Sequence, residues 1–211
     1  ERFPWLVIHP LIPIVLLAGV GAQRLWDRRP DLAVARRGPE LVAVALAVLA
    51  LVTTSVRVNF VAPSDPRQLL VAVQTSDDVP PIVRRIDALF DASPPDAPPR
   101  VVIDTGYGAT WPFAWYLRDH TVLFADLAQD PSAAAGADAV LALAQDVPAL
   151  QPPAAGWVGQ PYAHRVWWLR PWDDASLGDW LGWIANRRTF GPLGQLDSVF
   201  LLRVGAPGGD G

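Results

Sequence analysis

Two long uncharged runs dominate the apolar pattern of this chain, and short apolar segments between polar turns fill the rest. Residues 5–22 read WLVIHPLIPIVLLAGVGA and residues 41–56 read LVAVALAVLALVTTSV, neither with a formal charge. A helix crossing the hydrocarbon core of a bilayer needs about 20 predominantly apolar residues, with a range of roughly 17–25. The first run meets that length. The second meets it when extended to Ala62, with Arg57 reaching the interface along its aliphatic stem. The pattern predicts two transmembrane helices, at about 5–22 and 41–62. The competing reading is one buried helical hairpin of a soluble protein. A secretory signal peptide fits less well, because no basic segment with a cleavage site precedes the main domain.

The loop between the runs, residues 23–40, holds Arg24, Arg28, Arg29, Arg36 and Arg37. Short cytoplasmic loops collect Arg and Lys, so this loop is expected in the cytoplasm. Glu1 and residues 63–211 are then extracytoplasmic, and the chain is an integral protein of the cell membrane. His9, Pro10 and Pro13 fall in the outer half of the first helix, where proline predicts an irregular start.

Beyond Ala62 the pattern shortens. Residues 68–74 (QLLVAVQ) read as a buried strand, and residues 79–90 carry Ile82, Val83, Ile86, Leu89 and Phe90 at helical spacing. Residues 100–104 (RVVID) and 121–124 (TVLF) predict two more strands. A helix is expected to start near Trp111, with Pro112 at its first position and Thr110 as cap. Residues 137–143 read as a fourth strand in competition with helix. Residues 162–169 alternate Ala163, Arg165 and Trp167 against His164, Val166 and Trp168, as a strand does. Residues 177–184 predict a helix, 197–204 a closing strand and 205–211 a loose tail. Strands alternating with helices argue for an α/β domain over residues 63–211 with a mixed, largely parallel sheet. Its Pro-rich stretch 92–99 is a loop within it, and no repeat of fixed period occurs.

Composition narrows the function. The 211 residues are 51% hydrophobic and 18% charged, with a mean hydropathy of +0.22, which excludes a disordered chain. All 17 basic residues are arginine, and the net charge is −4. Residues 63–211 hold 10 Arg against 17 Asp, a net of −7. That balance disfavours nucleic acid as a partner. With no cysteine, thiolate metal sites, disulfides and thiol nucleophiles are excluded. The absence of Met and an opening at Glu1 predict a piece of a longer protein.

Candidate chemistry concentrates in two places. The first is Asp104–Asp119, DTGYGATWPFAWYLRD, where a strand ends in a carboxylate and a glycine turn leads toward a helix. That geometry offers free N–H groups to an anion. Trp111 and Trp115, four residues apart, would share a helix face on which a sugar or lipid headgroup could stack. The alternative, favoured by the burial habit of Trp, packs both rings onto the sheet and leaves Arg118 and Asp119 as a local charge pair. The second is Ala163–Asp174, where His164, Arg165 and Arg170 sit among Trp167, Trp168 and Trp172. It reads either as a phosphate- or headgroup-facing surface or as a strand with Trp on both faces. No GxGxxG, P-loop, HExxH or GxSxG pattern occurs, and no cofactor or metal is implied.

The run Glu1-Arg2-Phe3-Pro4-Trp5-Leu6, then His9-Pro10-Leu11-Ile12-Pro13 and Leu17-Ala18-Gly19, resembles a late membrane helix of GT-C glycosyltransferases, among them protein mannosyltransferases and aminoarabinose transferases. Val73-Gln74-Thr75-Ser76, the block Trp111–Asp119 and the run Gly194-Gln195-Leu196-Asp197 resemble the flippase-activity-associated GT-C-like branch. The likeness covers nearly the whole chain, and the WPFAWYLRD block is its most specific part. It implies a multi-pass enzyme that takes a sugar from a polyprenyl-phosphate donor on the outer leaflet. Its catalytic carboxylate would lie in an upstream extracytoplasmic loop, with room there for a divalent metal, so this portion would be non-catalytic. Arg2 would then stand near the donor phosphate. The partners implied are membrane lipid, the polyprenyl-phosphate sugar and a glycan or protein acceptor. Two other readings stand beside it: a membrane-anchored glycan- or protein-binding module without catalysis, and an assembly factor of a lipid-linked sugar pathway.

Overall fold

The computed structural model describes residues 8–27, 38–68, 73–150, 156–171 and 173–205. Arg2, Pro4, Trp5, most of the Arg-rich loop, much of the expected strand 68–74, Trp172 and nearly all of the tail lie outside the described residues. Helix α1 spans Ile8–Asp27 and helix α2 spans Gly38–Val56, prolonged by a π-helical turn over Arg57–Val61. Leu41–Val61 is 21 residues long and apolar enough to cross a membrane. At 1.5 Å per residue it is about 31 Å long, the thickness of a hydrocarbon core. Its side chains are exposed along its length, Leu46, Leu49 and Leu51 among them. It is the one helix among the described residues that is long and apolar enough to do so. Among the described residues the apolar part of α1 is Ile12–Arg24, shorter than a span.

The rest is an α/β domain with a six-stranded sheet in the order β1-β5-β6-β4-β2-β3. The strands are β1 (Val73–Thr75), β2 (Val101–Asp104), β3 (Val122–Ala125), β4 (Ala139–Leu143), β5 (Trp157–Trp168) and β6 (Leu193–Arg203). Helix α3 (Val79–Asp91) opens with Pro80 and Pro81, whose missing N–H groups cost nothing in a first turn. It buries Val79, Ile82, Val83, Ile86 and Leu89, the stripe that the spacing predicts. That stripe, with Phe113, Leu117 and Phe200, forms the core on one face of the sheet. Val102, Leu127, Val140, Leu150 and Leu201 form it on the other. β2 and β4 are buried at every position, which is why they read as unbroken apolar runs.

The sheet is mixed, but not largely parallel. β2 pairs in parallel with β3 and β4, whereas β4–β6, β5–β6 and β1–β5 are antiparallel. Helix α5 (Leu177–Asn186), none of whose residues is fully buried, lies in the connection between the antiparallel strands β5 and β6.

The register sets the shape of the site. Leu143, the last residue of β4, pairs with Ser198, which pairs with Tyr162. Residues 163–168 and 193–197 therefore run past the carboxyl ends of the parallel strands and form a ledge above them. A bulge between Ala163 and Arg165 inserts His164 as an extra residue. His164 is buried there, as are Tyr162 and Trp168 of the same alternate set, while Ala163, Arg165 and Trp167 are half-buried.

Candidate functional site

Asp104 ends β2 and is 1% exposed. Its Oδ1 accepts the N–H of Gly106 at 2.9 Å and of Leu127 at 3.4 Å, and its Oδ2 accepts the N–H of Leu143 at 3.2 Å. One carboxylate thus holds the ends of β2 and β4 and the loop after β3. The spacing of sequence gives no sign of this, because the donors come from three separate segments. The same topology brings Asp146, just beyond β4, toward Asp104. Burial first, and then the charge of Asp104, push the Asp146 carboxyl above the ordinary range. Sequence reading missed Asp146, which lies far along the chain from Asp104.

The segment after β2 turns through Gly106–Gly108, where Tyr107 (φ 50°) and Gly108 (φ 70°) adopt left-handed backbone. A side chain on Gly106 would meet Leu143 Cδ1 at 2.9 Å, so the turn is seated tightly on β4. The expected helix from Trp111 is a single turn, α4 (Phe113–Tyr116), with Pro112 as its N-terminal flank and no cap from Thr110. Several N–H groups around its start are already paired. The N–H groups of Gly108, Trp111, Ala114 and Trp115 bond to carbonyls of Thr105, Gly108, Thr110 and Pro112.

The ledge grips this segment from the other side. Arg165 donates from Nη2 to the carbonyls of Gly108 and Trp111, the latter at 2.8 Å. His164 Nε2 meets the Trp111 carbonyl at 2.8 Å, so that nitrogen carries the proton in the neutral ring. Nδ1 is buried and has no hydrogen-bond partner among the described residues. Burial, aided by the adjacent Arg165 charge, lowers the His164 pKa. The edge of Phe113 approaches His164, ring centroids 5.4 Å apart. His164 and Arg165, read from sequence either as part of a headgroup-facing surface or as part of a strand with Trp on both faces, lie on strand β5 and clamp the Tyr107–Trp111 segment.

Held in this way, the segment presents rings outward. Trp111 and Trp115 are each 57% exposed, and Tyr107 more so. Phe113 and Leu117, not the tryptophans, pack α4 onto the sheet. Arg118 lies over the Trp115 ring, 4.8 Å from its centroid, donates to the Trp115 carbonyl at 3.0 Å, and stands 3.7 Å from the Asp119 carboxylate. Structure therefore groups Trp115 with Arg118 and puts Trp111 at the front of the same short segment. Asp104 lies beneath it, and Arg2 is outside the described residues.

No family model, curated protein or solved structure matches this chain.

Among the described residues no group of three or more His, Asp or Glu side chains is placed to hold a metal ion. What the arrangement offers chemically is a rigid, solvent-facing set of aromatic faces with one guanidinium. Such faces suit the C–H surface of a sugar ring or an extended polar ligand. His164 and Asp104 serve to position it.

Proposed function

We propose that this chain is the carboxyl-terminal portion of an integral-membrane glycosyltransferase using a polyprenyl-phosphate-linked sugar, and that its α/β domain supplies a saccharide platform rather than the reacting carboxylate. The observation that carries this reading is the exposure of Trp111 and Trp115 with Arg118 against Trp115. Two indoles left open on a clamped segment forgo the burial that Trp usually finds. A ligand covering them restores it. The internal use of both Asp104 oxygens supports a positioning role for that residue.

In this reading α2 and α1 form a membrane hairpin, residues 1–62, with α1 continuing into the apolar residues before Ile12. The Arg-rich loop 23–40 is cytoplasmic and residues 63–211 are extracytoplasmic. Arg2 faces the donor phosphate, where a charge-assisted contact favours the oxyanion. The resemblance of the Trp111–Asp119 block to GT-C-like proteins supplies the reaction class.

Transfer of sugar from a polyprenyl-phosphate donor by the parent protein is the test. Trp111→Ala and Trp115→Ala are expected to lower it by about tenfold, the equivalent of roughly 1.4 kcal/mol. Both should leave thermal stability within about 0.5 kcal/mol, as exposed substitutions do. Full transfer by both variants would overturn the platform. A second reading draws on the same exposed rings: a membrane-anchored glycan- or protein-binding module without catalysis. It expects saccharide binding by this chain, lost in the same two variants, with no transfer by the parent protein.

A further inference from the structure

Helix α5 carries an apolar face that the described residues leave exposed. Leu177, Leu181 and Ile184 follow the i, i+4, i+7 rule and are 76%, 57% and 61% exposed. Leu169 and Leu193, at the same end of the ledge, are exposed as well. The indoles of α5 face the protein instead. Trp180 meets the ring of Phe190, centroids 5.0 Å apart, and Trp183 donates from Nε1 to the carbonyl of Arg67 at 2.7 Å.

Arg67 is the key to position. It belongs to the neck joining α2 to the domain, where Asp65 accepts its Nε and Nη2 hydrogens at 2.8 Å each. It lies six positions beyond Val61, where the apolar helix ends. Fully extended they would reach about 20 Å, and turns at Ala62–Asp65 and Asp65–Gln68 shorten that. Trp183 is thereby held within about 20 Å of the end of α2, close to where the headgroup zone of a crossed bilayer lies.

We infer that the Leu177–Leu181–Ile184 face of α5 rests on the lipid surface of the bilayer that α2 crosses. The inference rests on the reading of α2 as a span. The composition of α5 agrees: leucine and isoleucine on one face, and Arg187 and Arg188 just past its end, in a domain of net negative charge. Those arginines suit anionic headgroups. A second copy of the chain fits less well as the cover. A ten-residue helix is about 15 Å long, and its face supplies a small part of the roughly 800 Å² per partner that a stable interface buries. A bilayer already joined through α2 imposes no such minimum. The domain would then lie tipped onto the membrane through α5, fixing the height of the Trp111 segment above the lipid.

The chain has no cysteine, so one introduced thiol takes one label. Leu181→Cys and Leu177→Cys on α5, Arg84→Cys on α3 and Leu49→Cys in α2 are each labelled with bimane. The full chain is reconstituted in vesicles of equimolar phosphatidylcholine and phosphatidylglycerol. Quenching by aqueous iodide is compared with quenching by headgroup-linked and acyl-linked nitroxides. The expected result is headgroup quenching severalfold stronger at 181 and 177 than at 84, with iodide access correspondingly reduced. Iodide access at 181 and 177 equal to that at 84, with 49 quenched by the acyl nitroxide, would overturn the docking and leave the span intact. Shielding of 181 and 177 from iodide and lipid nitroxide alike would overturn it in favour of a protein cover. An unquenched label at 49 would overturn the span and the docking together.

Discussion

Asp104 stands at the carboxyl end of β2 with both oxygens turned onto neighbouring backbone, not onto solvent. Alanine there would leave three backbone N–H groups unpaired in a buried setting, at about 1–3 kcal/mol each. The Asp104→Ala variant is expected to lose about 3 kcal/mol or more, and Asp104→Asn, which keeps one acceptor oxygen, less. Urea unfolding of the full chain followed by Trp fluorescence measures this. Equal stability of Asp104→Ala and the parent would remove the clamp. Trp111 and Trp115 show how far the sequence reaches at this scale. Their spacing is the same whether the rings are buried or open. Exposure was decided by Phe113 and Leu117, which occupy the core positions of the same segment.

Among the elements, α5 depends on its cap more than the others do. Ser176 accepts the Asp179 N–H at 3.2 Å, and Asp179 accepts the Ser176 N–H at 3.0 Å, a complete capping box. With no buried residue in α5 to compensate, Ser176→Ala should weaken it by about 1 kcal/mol. Faster hydrogen exchange at the α5 amides, with α3 unchanged, is the expected outcome, and equal change in both helices would contradict it. The elements themselves were largely legible. Strands β2, β3 and β4 and helix α3 lie close to where the apolar runs predict them, since buried strands and a single-faced helix carry their period locally. α4 was not legible in length. Its segment leaves helical geometry after one turn, Leu117 lying at φ −102° and ψ 20°.

At the scale of the molecule, His164 on β5 ties the antiparallel half of the sheet to the Trp111 segment that follows β2. The His164 pKa is lowered in the fold by burial, whereas in the unfolded chain it returns to about 6.5. Below that pH the unfolded chain binds a proton that the folded one refuses. Stability is therefore full above about pH 7 and falls as the pH drops toward 5. Asp146 acts with the opposite sign, since its raised pKa costs stability as the pH rises above the ordinary carboxyl value. The difference between the parent chain and His164→Gln isolates the histidine. Urea midpoints across pH 5–8 should show the fall in the parent chain and a flatter curve in the variant. Parallel curves would contradict the assignment.

By itself the sequence determined the long apolar helix at Leu41–Val61, the buried strand β2 and the stripe on α3, because length and periodicity are properties of consecutive residues, whereas it left β4 open between strand and helix. It also marked Asp104–Asp119 as the segment richest in chemistry. Only the tertiary structure decided that most strand pairings are antiparallel, that a bulge falls at His164, and that Asp104 is spent on the turn after β2, the loop after β3 and the end of β4. Each of these depends on which strand lies beside which, and adjacent residues carry no record of that choice.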